Sequence, residues 1–263
     1  MEQREFDFIV KDLWEHELEF RKDPKNAYDL QVEQELFTEL NSLGYDFYWG
    51  LQLNAGAFTE RDKAVIPIVL KYLDKFKNKN FKDTYLCCLG VKGFYDATEY
   101  LLSEYSKHLP PSYDGSWSLE AASQTIADIR DPRFIDTYLG FLNDDKVVFE
   151  TCYIVEMLGK MKVEKSIPYL VKLLDGERKT ADSLYGTVLE DTKFLVSQKS
   201  IKALSQFKNP EHVKYIEKFL EPEKLSWIKY PDTKDGRSLL KSTYTEYRKI
   251  AKKAIEKMTA KRS

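Results

Sequence analysis

Three histidines and three cysteines are all that 263 residues offer of the side chains that most often hold metals or act as nucleophiles. His16, His108 and His212 lie far apart in the chain, so no histidine-rich metal site can be drawn from them. Cys87 and Cys88 are adjacent and Cys152 is remote. An odd count without C-x-x-C spacing yields neither a disulfide framework nor a zinc ribbon. HELEF at 16–20 opens like a metalloprotease helix, but Phe20 stands where the second histidine should be, and the zincin reading fails. Glycine is scarce, at 11 residues, and arranged in neither the G-x-x-x-x-G-K-[ST] nor the G-x-G-x-x-G phosphate-cradling pattern. No apolar run approaches the roughly 20 residues needed to cross a bilayer. The first residues, MEQREFDFIV, are charged from the second position, unlike a secretory signal. These shortages predict a reduced, cytoplasmic protein that is not an enzyme, with no catalytic residue, no metal, no cofactor and no membrane partner.

What the chain does have is charge and helical periodicity. Lysine and arginine number 41 against 43 aspartate and glutamate, a net charge of -2. The first sixty residues are acidic, and the end is basic, with Arg248, Lys249, Lys252, Lys253 and Lys257. Between these ends one phrase recurs. Ile167, Leu170, Val171 and Leu174 align with Ile135, Tyr138, Leu139 and Leu142, and with Val213, Ile216, Glu217 and Leu220. An earlier copy holds Ile66, Val69, Leu70 and Leu73. Apolar residues at i, i+3, i+4 and i+7 form one face of an α-helix. Six residues before the anchors, Ile129, Met161 and Phe207 end segments with small residues inside an apolar stripe. Asp131-Pro132 and Asn209-Pro210 mark the turns between, because the residue before proline is pushed out of the helical region.

Each unit therefore reads as helix, short turn, helix. One such pair cannot bury its apolar face alone, and stacking supplies a continuous core. The expectation is an all-α chain without strands: a right-handed α-solenoid of antiparallel helix pairs. It would be one domain over 1–263, with capping helices and an aromatic segment in 1–63, repeats in 64–221, and a loop and basic capping helix in 222–263. Small-residue first helices, short Asp-Pro turns and second helices of the form I-P-x-L-x-x-L-L-D resemble HEAT repeats, particularly the short HEAT-like repeats of small bacterial proteins. The resemblance covers roughly residues 64–221, and the motif is degenerate. It implies fold far better than function.

Candidate binding residues follow from the repeat geometry. In a HEAT array the second helices line the concave side. There, equivalent positions carry Lys71, Lys172 and Lys218, interrupted by Gly140, with Arg133 one turn from the gap. Tyr169 and Tyr215 stand beside the row. Lysines steering encounter and tyrosines supplying contact area predict another protein with an acidic surface as partner. A solvated face of good helix formers is the plainer reading of the same lysines. Trp49 and Trp227 lie in segments between repeats and are the second candidate set. Trp49 lies in GYDFYWG (44–50), where an interface patch and a hydrophobic lid compete, the lid favoured because terminal repeats need capping. Cys87 and Cys88 sit on an apolar helix and read as small core hydrophobes.

The function expected is a non-enzymatic scaffold, with a toxin-neutralising immunity-type protein as one form implied by the bacterial resemblance. The alternative is nucleic-acid binding, as in DNA-alkylation-repair glycosylases built on HEAT-like repeats. No motif of theirs matches here residue by residue.

Overall fold

A computed structural model of the protein describes residues 18–48, 52–53, 56–109, 117–143, 146–147, 150–175, 179–180, 188–230 and 232–260. The chain divides into two compact units between Tyr100 and Leu101, whereas the sequence reads as one array. The division falls within a helix, Thr98–Lys107.

In the first unit, a helical stretch at 18–22 and a 3-10 turn at Pro24–Asn26 lead into α1 (Ala27–Ser42). α2 (Val65–Leu73) packs against α1 and against α3 (Lys79–Cys87). Leu36, Phe37 and Leu40 of α1 meet this core together with Val65, Ile66, Val69 and Leu73 of α2, all buried. Two buried acids of α1 are satisfied rather than free. Asp29 accepts the Lys77 backbone N–H at 2.6 Å, tying the α2–α3 link to α1. Glu33 accepts a two-pronged pair from Arg21 at 2.6 and 2.8 Å and a further bond from the Tyr85 hydroxyl. Burial of a carboxylate is tolerated when its oxygens are paired in this way.

The second unit begins inside α4 (Thr98–Lys107) and continues through α5 (Trp117–Ile129), α6 (Ile135–Asn143), α7 (Thr151–Met161) and α8 (Ile167–Leu174). It ends with α9 (Val188–Gln206), the short α10 (Val213–Ile216) and α11 (Lys234–Thr259). α5 packs on α7, α7 on α9, and α9 on α11, so that alternate helices touch; α6 likewise touches α8. The class is all-α, with one small departure from the strandless expectation. Lys146–Val147 (β1) and Lys179–Thr180 (β2) pair in parallel over two residues, joining the segments that follow α6 and α8.

The turns inside the helix pairs repeat in atomic detail. Arg130, Lys162 and Lys208 each take a left-handed conformation, with φ of 56°, 53° and 51°. Each is followed by an extended residue (Asp131, Val163, Asn209), a three-residue 3-10 turn, and the next helix. Gly93 (φ 92°) likewise precedes a three-residue 3-10 turn before α4, but the residue between, Phe94, is not extended (ψ 52°). Asp131 and Asn209 close their turns by accepting the N–H two residues on, at 3.0 Å in both cases. Pro132 and Pro210 start the 3-10 turns, where a missing N–H costs nothing.

The buried stripe lies slightly off the expected one. Leu170 and Leu174 are buried as the periodicity predicts, but the anchors Ile135, Ile167 and Val213 are only half-buried, as is Val171. Leu173 and Phe219 are buried in their place. The 3-10 turn turns the chain by about three residues per revolution instead of 3.6, which re-phases the helix that follows.

Candidate functional site

The second-helix cations do not form a free basic row. Lys71 lies in the first unit and is paired with Glu39, which also accepts the Tyr72 hydroxyl at 3.0 Å. The hydrogen bond from Lys71 holds the Glu39 carboxyl below the usual range. Lys218 is paired with Asp175. Arg133 folds back onto the buried Asp131, donating at 2.6–3.0 Å to both oxygens of the carboxylate that caps its own turn. Lys172 is exposed, and Tyr169 and Tyr215 are half-buried, with the Tyr215 ring 6.2 Å from that of His212. Charge expected to face a partner is thus largely met by the chain's own acids.

The aromatic candidates also turn inward where they are described. Trp227 stacks on Phe194 of α9 at 5.8 Å and stands edge-on to Tyr247 of α11 at 6.0 Å. These contacts give the ring a packing role between the helices, and its indole nitrogen is buried without a hydrogen-bond partner among the described residues. Trp49 lies outside the described residues. Its neighbours Tyr45 and Phe47 cluster with Phe58, at 5.3–5.9 Å between rings. The Tyr45 hydroxyl donates to Asp62 at 2.6 Å, and burial together with that carboxylate raises its pKa to about 12. Tyr45 and Phe47 thus pack on the buried Phe58, while Tyr48 remains exposed.

A different surface gathers uncompensated positive charge. The amphipathic stripe of α11 (Tyr247, Ile250, Ala251, Ala254, Met258) packs toward α9 and leaves Lys249, Lys253 and Lys257 along one edge of the seam. Lys199 and Lys202 of α9 form the facing edge of a groove of about 500 Å³. Its floor is Ala203, Ile250 and Ala254, all nearly closed off by the packing of the two helices. Five lysines face two acids, Glu156 of α7 and Glu246 of α11.

Those two acids are already committed. Glu156 accepts from Lys160 at 2.8 Å and from Lys199. Burial alone would push its carboxyl up, but these two ammonium groups bring it down to about 2. Glu246 sits 3.7 Å from Lys249. Lys202, Lys253 and Lys257 have no acidic partner among the described residues. Lys257 donates only to the neutral Gln206 amide, at 2.7 Å. Its pKa is lowered, first by burial and then by the positive charges of Lys208, Lys162 and Lys253. Lys162 and Lys208 are the left-handed turn residues described above, so the turns themselves add charge beside the groove.

The basic run near the end of the chain is visible in the sequence, where it reads as a capping helix; the four-residue spacing of Lys249, Lys253 and Lys257 is the signal that a basic edge was there. Nothing in the sequence brings Lys199 and Lys202 opposite that edge. A second hollow, of about 590 Å³, lies between the Pro210 turn and the end of α11. His212 borders it with a buried Nδ1 that has no hydrogen-bond partner among the described residues, and burial lowers the ring's pKa, opposed by the nearby Leu204 carbonyl. The groups at the α9–α11 groove are ammonium donors on flexible stems, compact point charges that can hold anionic groups. Compared with protein-family models, curated proteins and solved structures, the chain matches none.

Proposed function

We propose that the protein is a non-enzymatic binding scaffold, a HEAT-like right-handed α-solenoid that holds another protein through an acidic surface. The reading of the fold rests on the repeated turn geometry at Arg130, Lys162 and Lys208 and on the packing of alternate helices α5, α7, α9 and α11. The observation that carries the function is the excess of lysine over acid in the α9–α11 groove. Unpaired like charges held together cost free energy that an anionic partner relieves, and charge of one sign speeds encounter with the other. The scaffold takes its place in a cytoplasmic bacterial setting as the sequence resemblance implies, with neutralisation of a toxin as its more specific form.

Affinity capture from the native host at physiological ionic strength, with mass spectrometry and reconstitution from pure components, tests the reading. A stoichiometric complex with an acidic protein is expected, weakening as salt rises. A partner that is neutral or basic, or binding insensitive to salt, refutes the electrostatic basis.

A further inference from the structure

The groove has a shape and a spacing as well as a sign, and these say more about what it accepts. Lys249, Lys253 and Lys257 recur every fourth residue along α11, which spaces their backbone positions about 6 Å apart along the helix axis. Carboxylates at every fourth residue of a helix have the same repeat. Lys199 and Lys202, three residues apart on α9, supply the second wall. Ala203, Ile250 and Ala254 are nearly closed off, so the floor gives little apolar surface and the lysine stems must provide most of the nonpolar contact.

The lining also separates two polyanions. A single nucleic-acid strand is held by a basic track together with aromatic rings or arginine planes on which bases stack. Among the described residues no aromatic ring and no arginine lines this groove, and Glu156 and Glu246 interrupt the positive track. A run of phosphates would meet those carboxylates unfavourably. A polypeptide with mixed charge meets them with a lysine or arginine of its own.

We infer that the groove between α9 and α11 receives a helical segment of the partner protein whose acidic residues recur every fourth position, lying along α11 with its carboxylates on Lys249, Lys253 and Lys257. This deepens the scaffold reading and rests on it. Lys202 and Lys253, exposed and without acidic partners among the described residues, contribute most to the capture of the segment. Burial first, and then the positive charges of Lys208, Lys162 and Lys253, depress Lys257, and an arriving carboxylate offsets the second of these.

The test uses fluorescence anisotropy with the full chain and three labelled probes. One is an alanine-based helical peptide of about 16 residues with glutamate at every fourth position. The second has the same composition with the glutamates in scrambled order, and the third is a single-stranded oligothymidine of about equal charge. The spaced peptide is expected to bind saturably at low salt, at least about tenfold tighter than the scrambled one or the oligonucleotide. Lys202→Glu with Lys253→Glu should weaken it at least about tenfold, while Lys172→Glu leaves it unchanged. Lys249→Ala with Lys257→Ala, milder changes checked by circular dichroism, should weaken it in the same direction. Tighter binding of the oligonucleotide, lost in the same variants, assigns the groove to nucleic acid and overturns the proposal. Equal binding of spaced and scrambled peptides overturns the helical register. Peptide binding indifferent to the groove variants, or no peptide binding at all, overturns the site. In those last cases a partner recovered from the host still upholds the scaffold reading, whereas peptide binding without any host partner leaves the groove and removes the scaffold.

Discussion

Two glycines inside helices should answer the same substitution with opposite signs. Gly159 lies near the end of α7, and a Cβ built there would stand 2.6 Å from the Ala203 Cα, 2.7 Å from its Cβ and 3.1 Å from its carbonyl oxygen. Two of those three atoms belong to the backbone of α9, so no side-chain rotation relieves the contact. Gly140 lies in α6 with nothing among the described residues within 4 Å of the same position. Alanine is favoured over glycine in a helix by about 1 kcal/mol. Gly140→Ala should realise most of that gain, about 0.5–1 kcal/mol. Gly159→Ala gains the same propensity but must force α7 and α9 apart, and overpacking of this kind costs about 1–3 kcal/mol. Because the contact is with backbone, the upper part of that range applies, and the net change should be a loss of about 1–2 kcal/mol. Urea unfolding followed by circular dichroism gives both values, with an unchanged slope showing that the extent of unfolding is the same. Hydrogen exchange of α7 and α9 amides should report the loss locally. If Gly159→Ala stabilises the protein as much as Gly140→Ala does, the close approach of α7 and α9 is wrong, and the placement of Lys199 and Lys202 beside α11 falls with it.

The remaining predictions probe the turn, the core and the charge network. Lys162→Gly should stabilise the second unit by about 0.5–1 kcal/mol in the same urea assay, since glycine takes the left-handed conformation without the cost borne by a side chain; a loss would show that the Lys162 side chain matters more than its backbone. Leu170→Ala should cost about 2–5 kcal/mol by removing a fully buried side chain of α8. A value under about half a kcal/mol would mean the helix face is misplaced. Glu156 has a folded pKa of about 2, below its ordinary 4.5, so its contribution to stability is present above the ordinary value and fades as pH falls through about 2. Glu156→Gln should therefore flatten the pH dependence of the thermal midpoint between about pH 5 and pH 2, and an unchanged acid limb would remove the assigned role of Lys160 and Lys199.

The helix pairs were legible in the chain because their signals are local. The stripe of Leu170 and Leu174, the Asp131-Pro132 and Asn209-Pro210 turns, and the small residues ending α5 and α7 each depend on neighbours within a turn or two. Leu158-Gly159 was visible as a repeated pair, yet its reason was not, since the constraint at Gly159 is the backbone of Ala203 on another helix. The left-handed turns escaped notice because arginine and lysine, not glycine, occupy them.

Sequence by itself determined that this chain is helical, where its turns fall, and which residues carry charge. Tertiary packing decided which of those charges remain available. Lys71 and Lys218 met Glu39 and Asp175, acids distant in the chain, and Arg133 met the aspartate of its own turn. The lysines of α9 and α11 were left facing one another across a seam with too few acids. Helical propensity and hydrophobic periodicity act over a few residues and can be read along the chain. Coulombic interaction acts over distance in space, so whether a lysine is neutralised or free is fixed only when the helices pack.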